Sequence, residues 1–220
     1  MRKTMLAPSI LAANFRFLDR EIKKIIDGGA TYLHFDVMDG HFVNNISFGI
    51  PVLKAIKGKY PLVNDVHLMI SDPYKYIDAF AQAGADIITF HYESLANDIE
   101  RHRTIDKIIS CGIDVGMTIK PETNVEVLYP FLSRLNLVLV MSVEPGFGGQ
   151  GFIQSSLTKV ENLRRYIDEH GLSTLIEIDG GINAKTGKMA KEAGVDILVA
   201  GSYLFSSRSI KKRIAGLIND

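Results

Sequence analysis

The sequence predicts an α/β chain folded as a (β/α)8 TIM barrel, and three observations carry that prediction. Short apolar, β-branched runs recur about every 25 to 30 residues, each too short for a buried helix. Between them lie amphipathic stretches whose apolar residues return at three and four positions while charges fill the rest. Ala-Gly-Ala or Ala-Gly-Val followed by Asp occurs before DIITF and again before DILVA, which marks a repeated helix-to-strand junction. Strands joined through helices are expected to be parallel with right-handed crossovers, because a tight hairpin cannot join parallel neighbours. A doubly wound open sheet is the alternative, but GxGxxG is missing after the first strand, which reads APSILAANF.

Taken in order, MLAPSI (5–10) is the first strand and FLDREIKKIIDGG (17–29) the helix after it, closed by glycines. YLHFDV (32–37) is the second strand. VNDVHLMI (63–70) and DPYKYIDAFAQAG (72–84) form the third unit, and DIITFHYE (86–93) with IERHRTIDKIISCG (99–112) the fourth. IDVGMTI (113–119) and LVLVMSV (137–143) are strands five and six, the latter followed by the helix SLTKVENLRRYIDEHG (156–171). TLIEIDG (174–180) and AKTGKMAKEAG (184–194) make the seventh unit; DILVAG (196–201) is the eighth strand, and AGSYLF (200–205) opens a short helix.

No Ser/Pro-rich linker, charge block or composition shift divides the 220 residues, so one domain over residues 1–220 is expected. Twenty-five basic residues balance 25 acidic ones, leaving no net field for nucleic acid or an anionic membrane surface; small molecules or other protein chains are the expected partners. Cys111 is alone, which excludes an intrachain disulfide and fits a reducing cytoplasm. The N-terminal MRKTMLAPSILAANF has only a short, proline-interrupted apolar run, and nothing approaches the roughly 20 apolar residues of a membrane span. A soluble, unprocessed chain is expected.

A barrel gathers its chemistry at the carboxyl ends of the strands and in the loops beyond them. Ser9, His34, Asp36, His67, His91, Glu93 and Asp179 all close strands in this reading. One histidine in an apolar strand is usually a hydrogen-bonded core residue. Two histidines and two aspartates converging on one mouth are instead a nitrogen and oxygen donor set of the kind zinc, iron(II), cobalt or manganese accepts. Strands two and seven lie on opposite sides of strands one and eight, so Asp36 and Asp179 should reach a central ligand from different directions. Two opposed carboxylates can remove a proton from one face of a carbon and return one to the other, as an epimerase requires. PGFGGQGF (145–152), DGGI (179–182) and AGSYLF (200–205) place three glycine loops side by side, a cradle of backbone amides suited to phosphate. Met38, Met69 and Met141 sit near strand ends as core filler or cavity lining. His41, His102 and His170 are expected in solvent, and Cys111 as an unreactive thiol.

APSILAANF, HFDVMDGHFV, HLMI, MSVEPGFGGQGF, IDGGI and AGSYLF, in this order from Met5 to Phe205, resemble the ribulose-phosphate 3-epimerase family. The resemblance implies the ribulose-phosphate-binding type of barrel and a metal-dependent interconversion of D-ribulose 5-phosphate and D-xylulose 5-phosphate in the pentose phosphate pathway. It makes His34, Asp36, His67 and Asp179 the ligands of one divalent ion, zinc or iron(II), with manganese or cobalt as substitutes. Asp36 and Asp179 would also exchange protons with C3 through an enediolate. Ser9 and His67 would touch the sugar, and Gly146, Phe147, Gly148, Gly149, Gly180, Gly181, Gly201 and Ser202 would hold the phosphate end. A homo-oligomer is implied as well. The chain departs from the family pattern at Asn44, where proline is common, at Asn14, where aspartate is frequent, and at KPETN (120–124), where NPxTP is frequent. Three other readings compete. A related epimerase would act on allulose 6-phosphate, although GFGGQ and DGGI follow the pentose-phosphate enzymes. A decarboxylase on this scaffold would need a DxKxxD array, and DVMDG has no such lysine. A non-catalytic sugar-phosphate-binding protein would have no need of both aspartates and both histidines.

Overall fold

In the computed structural model, residues 4–219 are described; Arg2 and Lys3, which belong to the N-terminal stretch expected to be unprocessed, lie outside them. Among the described residues eight strands form one sheet, every pair parallel: β1 (Met5–Pro8), β2 (Tyr32–Met38), β3 (Val63–Met69), β4 (Ile87–His91), β5 (Asp114–Ile119), β6 (Leu137–Met141), β7 (Leu175–Asp179) and β8 (Ile197–Ala200). The order runs β1-β8-β7-β6-β5-β4-β3-β2, and its two ends meet through a parallel bridge between Ser9 and His34. The sheet is a nearly closed barrel, as its eight apolar runs predict.

Period-two alternation divides each strand between two environments. Outward residues such as Leu33, Phe35, Val66, Leu68, Ile88, Phe90, Val138 and Ile176 pack under the helices in the larger apolar cluster. Inward residues Ala7, Ile87, Leu137, Leu139, Met141, Ile197 and Val199 form a second, smaller cluster that fills part of the barrel. The rest of the interior is polar: His34, Asp65, His67, Thr89, His91, Thr118 and Glu177 are all fully buried.

The helices are α1 (Leu18–Ile26), α2 (Ile50–Ile56), α3 (Pro73–Ala83), α4 (Asp98–Ser110), α5 (Ser156–Glu169), α6 (Ala184–Ala193), the short α7 (Ser202–Phe205) and α8 (Ile210–Asn219). Local chemistry sets several ends. Asp72 caps α3 and is followed by Pro73, Asn97 caps α4, and Asn183 with Thr186 forms a capping box on α6. The repeated junction is one physical device used twice. Gly84 and Gly194 end α3 and α6 in the left-handed conformation, at φ 106° and 107°. The aspartate two residues on then accepts from the backbone of the preceding strand, Asp86 from Asn64 N at 2.7 Å and Asp196 from Ile176 N at 2.8 Å.

The fifth crossover differs from the others. Val125–Arg134 is a 3-10 helix containing Pro130, which has no N–H to give an α-helical ladder. Helices α2 and α8 carry no signal singled out in the sequence. Among the described residues no helix is long and apolar enough to cross a membrane.

Inside the barrel Gly116 lies beside Thr89, and a Cβ there would come within 2.9 Å of the Thr89 Cβ, closer still to its hydroxyl. Gly116→Ala should therefore lower stability by about 1–3 kcal/mol through overpacking. Urea unfolding checks this, and an unchanged midpoint would contradict such tight interior packing.

Candidate active site and metal centre

The site lies where the carboxyl ends of β1, β2, β6, β7 and β8 open into a cavity of about 330 Å³. Ser9, Asp36, Met38, Met69, Met141 and Asp179 form its floor and walls, and Gly146, Phe147, Gly148, Gly149, Gly180, Gly181, Gly201 and Ser202 its loop side. His34 and His67 do not reach the cavity surface; they are buried beneath it, His67 paired with Asp36 and His34 deeper, opposite Asp65. His67 therefore meets Asp36, with Nδ1 3.3 Å from Oδ1, before it meets anything in the cavity.

One ligand atom each from His34, Asp36, His67 and Asp179 lies within 4.8 Å of all the others. His34 Nε2 is 3.4 Å from Asp36 Oδ1 and, though fully buried, has no hydrogen-bond partner. A buried imidazole nitrogen without a hydrogen-bond partner, beside carboxylate oxygens, is a donor set that fits a divalent metal of intermediate softness. Ser9 Oγ donates to Asp36 Oδ2, fixing that carboxylate from the cavity side.

The charges follow from this crowding. Burial opposes ionisation of Asp36, but His34 and His67 outweigh it and hold its pKa far below the carboxylate range. Burial and then the charge of Asp36 push Asp179 the other way, up to about 7. For His34, burial is overcome by Asp65 and Asp36, which raise its pKa well above the usual imidazole value. Burial lowers both His67 and His91, the latter to about 4.

His91 and Glu93, also expected at the mouth, form a chain behind His67. The two Nε2 atoms of His67 and His91 are 2.9 Å apart, and His91 Nδ1 is 3.4 Å from Glu93 Oε2. Burial would raise Glu93, but His91, the Thr123 hydroxyl and the Lys120 amide hold it down at about 2. Lys120 and Thr123 belong to the divergent KPETN segment, which here supports a carboxylate. Phe42 covers the other side of His91, ring centroids 4.7 Å apart.

Two carboxylates absent from the sequence-derived site stand one layer deeper. Asp65 and Glu177 are fully buried, with Asp65 Oδ2 2.5 Å from His34 Nδ1 and Glu177 Oε1 3.8 Å from the same nitrogen. Burial and the charge of Asp65 raise Glu177 well above the carboxylate range. The signal was present: Asp65 precedes His67 by two, and Glu177 precedes Asp179 by two, so each shares its neighbour's inward face.

The glycine loops are packed backbone to backbone. A Cβ on Gly180 would sit 2.8 Å from Val143 N, one on Gly181 2.7 Å from Phe152 N, and both residues have positive φ. Phe147 stands more than half exposed at the rim. Asn44 is exposed on the loop after β2, while its neighbour Asn45 donates to the Gly146 carbonyl at 2.7 Å and ties that loop to the glycine-rich one. Asn14 caps a 3-10 turn by accepting from Arg16 N. His41 and His170 are exposed as expected, His170 stacking on Tyr166, whereas His102 is half-buried with its ring tilted against Phe131; burial with Asp78 raises the Cys111 thiol.

Residues 5–205 match the sequence profile of the Ribulose-phosphate 3 epimerase family. The chain is 47% identical over 210 residues to ribulose-phosphate 3-epimerase of Bacillus subtilis, covering 95% of each, and 46% identical over 205 residues to that of Treponema pallidum, covering 93% of each. Its fold resembles 3-hexulose-6-phosphate synthase from Salmonella typhimurium at a TM-score of 0.73 and 17% identity, covering 99% of this chain and 96% of that one.

The metal-free protein should lose stability as pH rises from 6.5 through about 7 and beyond, because its folded state binds more protons than the unfolded chain in that window. The sign follows from His34, Glu177 and Asp179, all raised in the fold and all giving up stability as they deprotonate. Thermal melts of chelator-treated protein across this range check it, and stability rising with pH would contradict the assignment.

Proposed function

Since the chain belongs to the ribulose-phosphate 3-epimerase family and is an enzyme of that type, we propose that it interconverts D-ribulose 5-phosphate and D-xylulose 5-phosphate by inverting C3. The observation that carries this reading is the pair Asp36 and Asp179, delivered by β2 and β7 to one cavity with opposite pKa shifts. Groups whose surroundings push their pKa values apart are suited to opposite roles in proton transfer. Asp36 takes or gives the C3 proton on one face and Asp179 does so on the other, the roles exchanging with the direction of reaction.

His34, Asp36, His67 and Asp179 hold one divalent cation, zinc or iron(II) in preference to manganese or cobalt. When bound, that cation supplies positive charge opposite the substrate oxygens on which negative charge develops as the C3 proton leaves. The chain's own groups do the rest. Ser9 orients Asp36 and hydrogen-bonds the sugar, while His67, expected to touch the sugar as well, lies beneath the cavity and meets Asp36 instead. Met38, Met69 and Met141 give an apolar floor that excludes water from the enediolate. Amides of Gly146, Gly148, Gly149, Gly180, Gly181 and Gly201, with Ser202, receive the phosphate, while Phe147 covers it. Binding energy from that end positions C3 between the two carboxylates. The chain acts as a single domain, in the cytoplasm, as a homo-oligomer, with no nucleic-acid or membrane partner.

Chelation should abolish epimerisation, and zinc or iron(II) should restore it. On one metal-loaded preparation kcat/KM for ribulose 5-phosphate should exceed that for allulose 6-phosphate by at least about tenfold, a discrimination on the scale of 1.4 kcal/mol. A preference for the hexose phosphate would overturn the substrate, and full activity without metal would overturn the ligand assignment.

A further inference from the structure

Barrel interiors are usually filled by branched apolar side chains. Here the layer beneath Asp36 and Asp179 holds His34, Asp65 and Glu177, all fully buried, with the Thr89 and Thr118 hydroxyls elsewhere in the interior. Five buried interior oxygens have no hydrogen-bond partner: Asp65 Oδ1, both Glu177 oxygens and the two threonine hydroxyls. Retaining two carboxylates in such a place costs several kcal/mol in desolvation, which calls for a specific role.

The geometry distinguishes two roles. One is a second cation site, since ligand atoms of His34, Asp65 and Glu177 also lie within 4.8 Å of one another. Yet His34 Nδ1 and Asp65 Oδ2 are 2.5 Å apart. Two donors on one tetrahedral ion, each about 2.0–2.1 Å from it, stand more than about 3 Å apart. The contact is therefore a hydrogen bond, with no room for an ion between its atoms. The other ring nitrogen, Nε2, is the orphaned one facing Asp36.

We propose that Asp65 is a positioning residue for the metal centre: it accepts the Nδ1 hydrogen of His34, fixes the ring's tautomer and orientation, and leaves Nε2 as the ligand nitrogen. This rests on the reading of His34, Asp36, His67 and Asp179 as the ligands of one divalent cation. A carboxylate behind a ligating imidazole also makes the imidazole a stronger donor, and loss of such a partner typically weakens metal binding 10–100-fold. Glu177, whose Oε1 is 3.8 Å from Nδ1, is too far to accept the same hydrogen and stands behind the pair.

The test is titration of metal-free protein with Co2+, read by its visible d–d absorption, with zinc affinity measured by competition. Wild-type protein should take up one equivalent; failure to do so would contradict the metal site itself, independently of Asp65. Asp65→Asn keeps the side-chain volume and an accepting oxygen but removes the charge, and should bind Co2+ and zinc 10–100-fold more weakly with an altered cobalt spectrum. Glu177→Gln, an equally conservative change in the same layer, should stay within about threefold of wild type on the same scale. Asp65→Asn affinity within about twofold of wild type, or an equal loss in both variants, would overturn the proposal. Should Asp65→Asn fail to fold, ¹⁵N–¹H correlation spectra of zinc-loaded wild-type protein decide instead. They should show His34 protonated on Nδ1 and ligated through Nε2, and the reverse tautomer would overturn the assignment.

Discussion

The structure turns on one constraint: carboxylates and imidazoles share a barrel interior that offers them too few hydrogen-bond donors. His34 lies between Asp36 on the cavity side and Asp65 beneath, and its Nε2 has no partner. Such a cluster is stable only with positive charge inside it. Without a cation, protons neutralise the cluster: burial and neighbouring carboxylates raise Glu177 and Asp179, and Asp65 and Asp36 raise His34, above their ordinary pKa values. A divalent cation meets the same need with better-placed charge, and the protonation that substitutes for it is what metal binding displaces.

This need also explains the division of labour between strands and loops. The groups that require fixed geometry stand on strands locked by ladder pairing, with Asp36 opposite His67 on β3 and Met141 opposite Asp179 on β7. Ser9 bridges β1 to β2 at the point of closure and holds Asp36 as it does so. The loops carry, in the proposed function, the less demanding task of gripping a phosphate, and glycine lets them pack directly on one another around Ser142, whose hydroxyl donates to the Asp179 and Gly180 carbonyls. Asn45 links the two loops that flank the entrance, so the exposed neighbouring Asn44, where the chain leaves the family pattern, lies outside that contact.

Much of this was legible in the sequence because barrel strands announce themselves by short β-branched runs and a period of two. All eight strands lie where those runs stand, and all eight loop residues assigned to the phosphate end border one cavity. What escaped detection did so for physical reasons. Asp65 and Glu177 sit among apolar neighbours in VNDVHLM and LIEID, where a carboxylate reads as a surface residue until a closed barrel buries that face. Helix α2 is only seven residues long, too short for its apolar stripe to repeat, and Pro130 hides the fifth crossover by making it a 3-10 helix. His67 has the right neighbours but lies below the cavity, because the depth of a strand residue depends on barrel shear and not on its position in the strand.

The central claim is that Asp36 and Asp179 act on opposite faces of one carbon. Solvent exchange at C3, followed by NMR in D2O with metal-loaded Asp36→Asn and Asp179→Asn, tests it most directly. Each variant keeps one carboxylate, so each should lose epimerisation yet exchange the C3 proton of one epimer, ribulose 5-phosphate in one case and xylulose 5-phosphate in the other. Exchange of the same epimer by both variants, or of both epimers by either, would contradict two opposed bases.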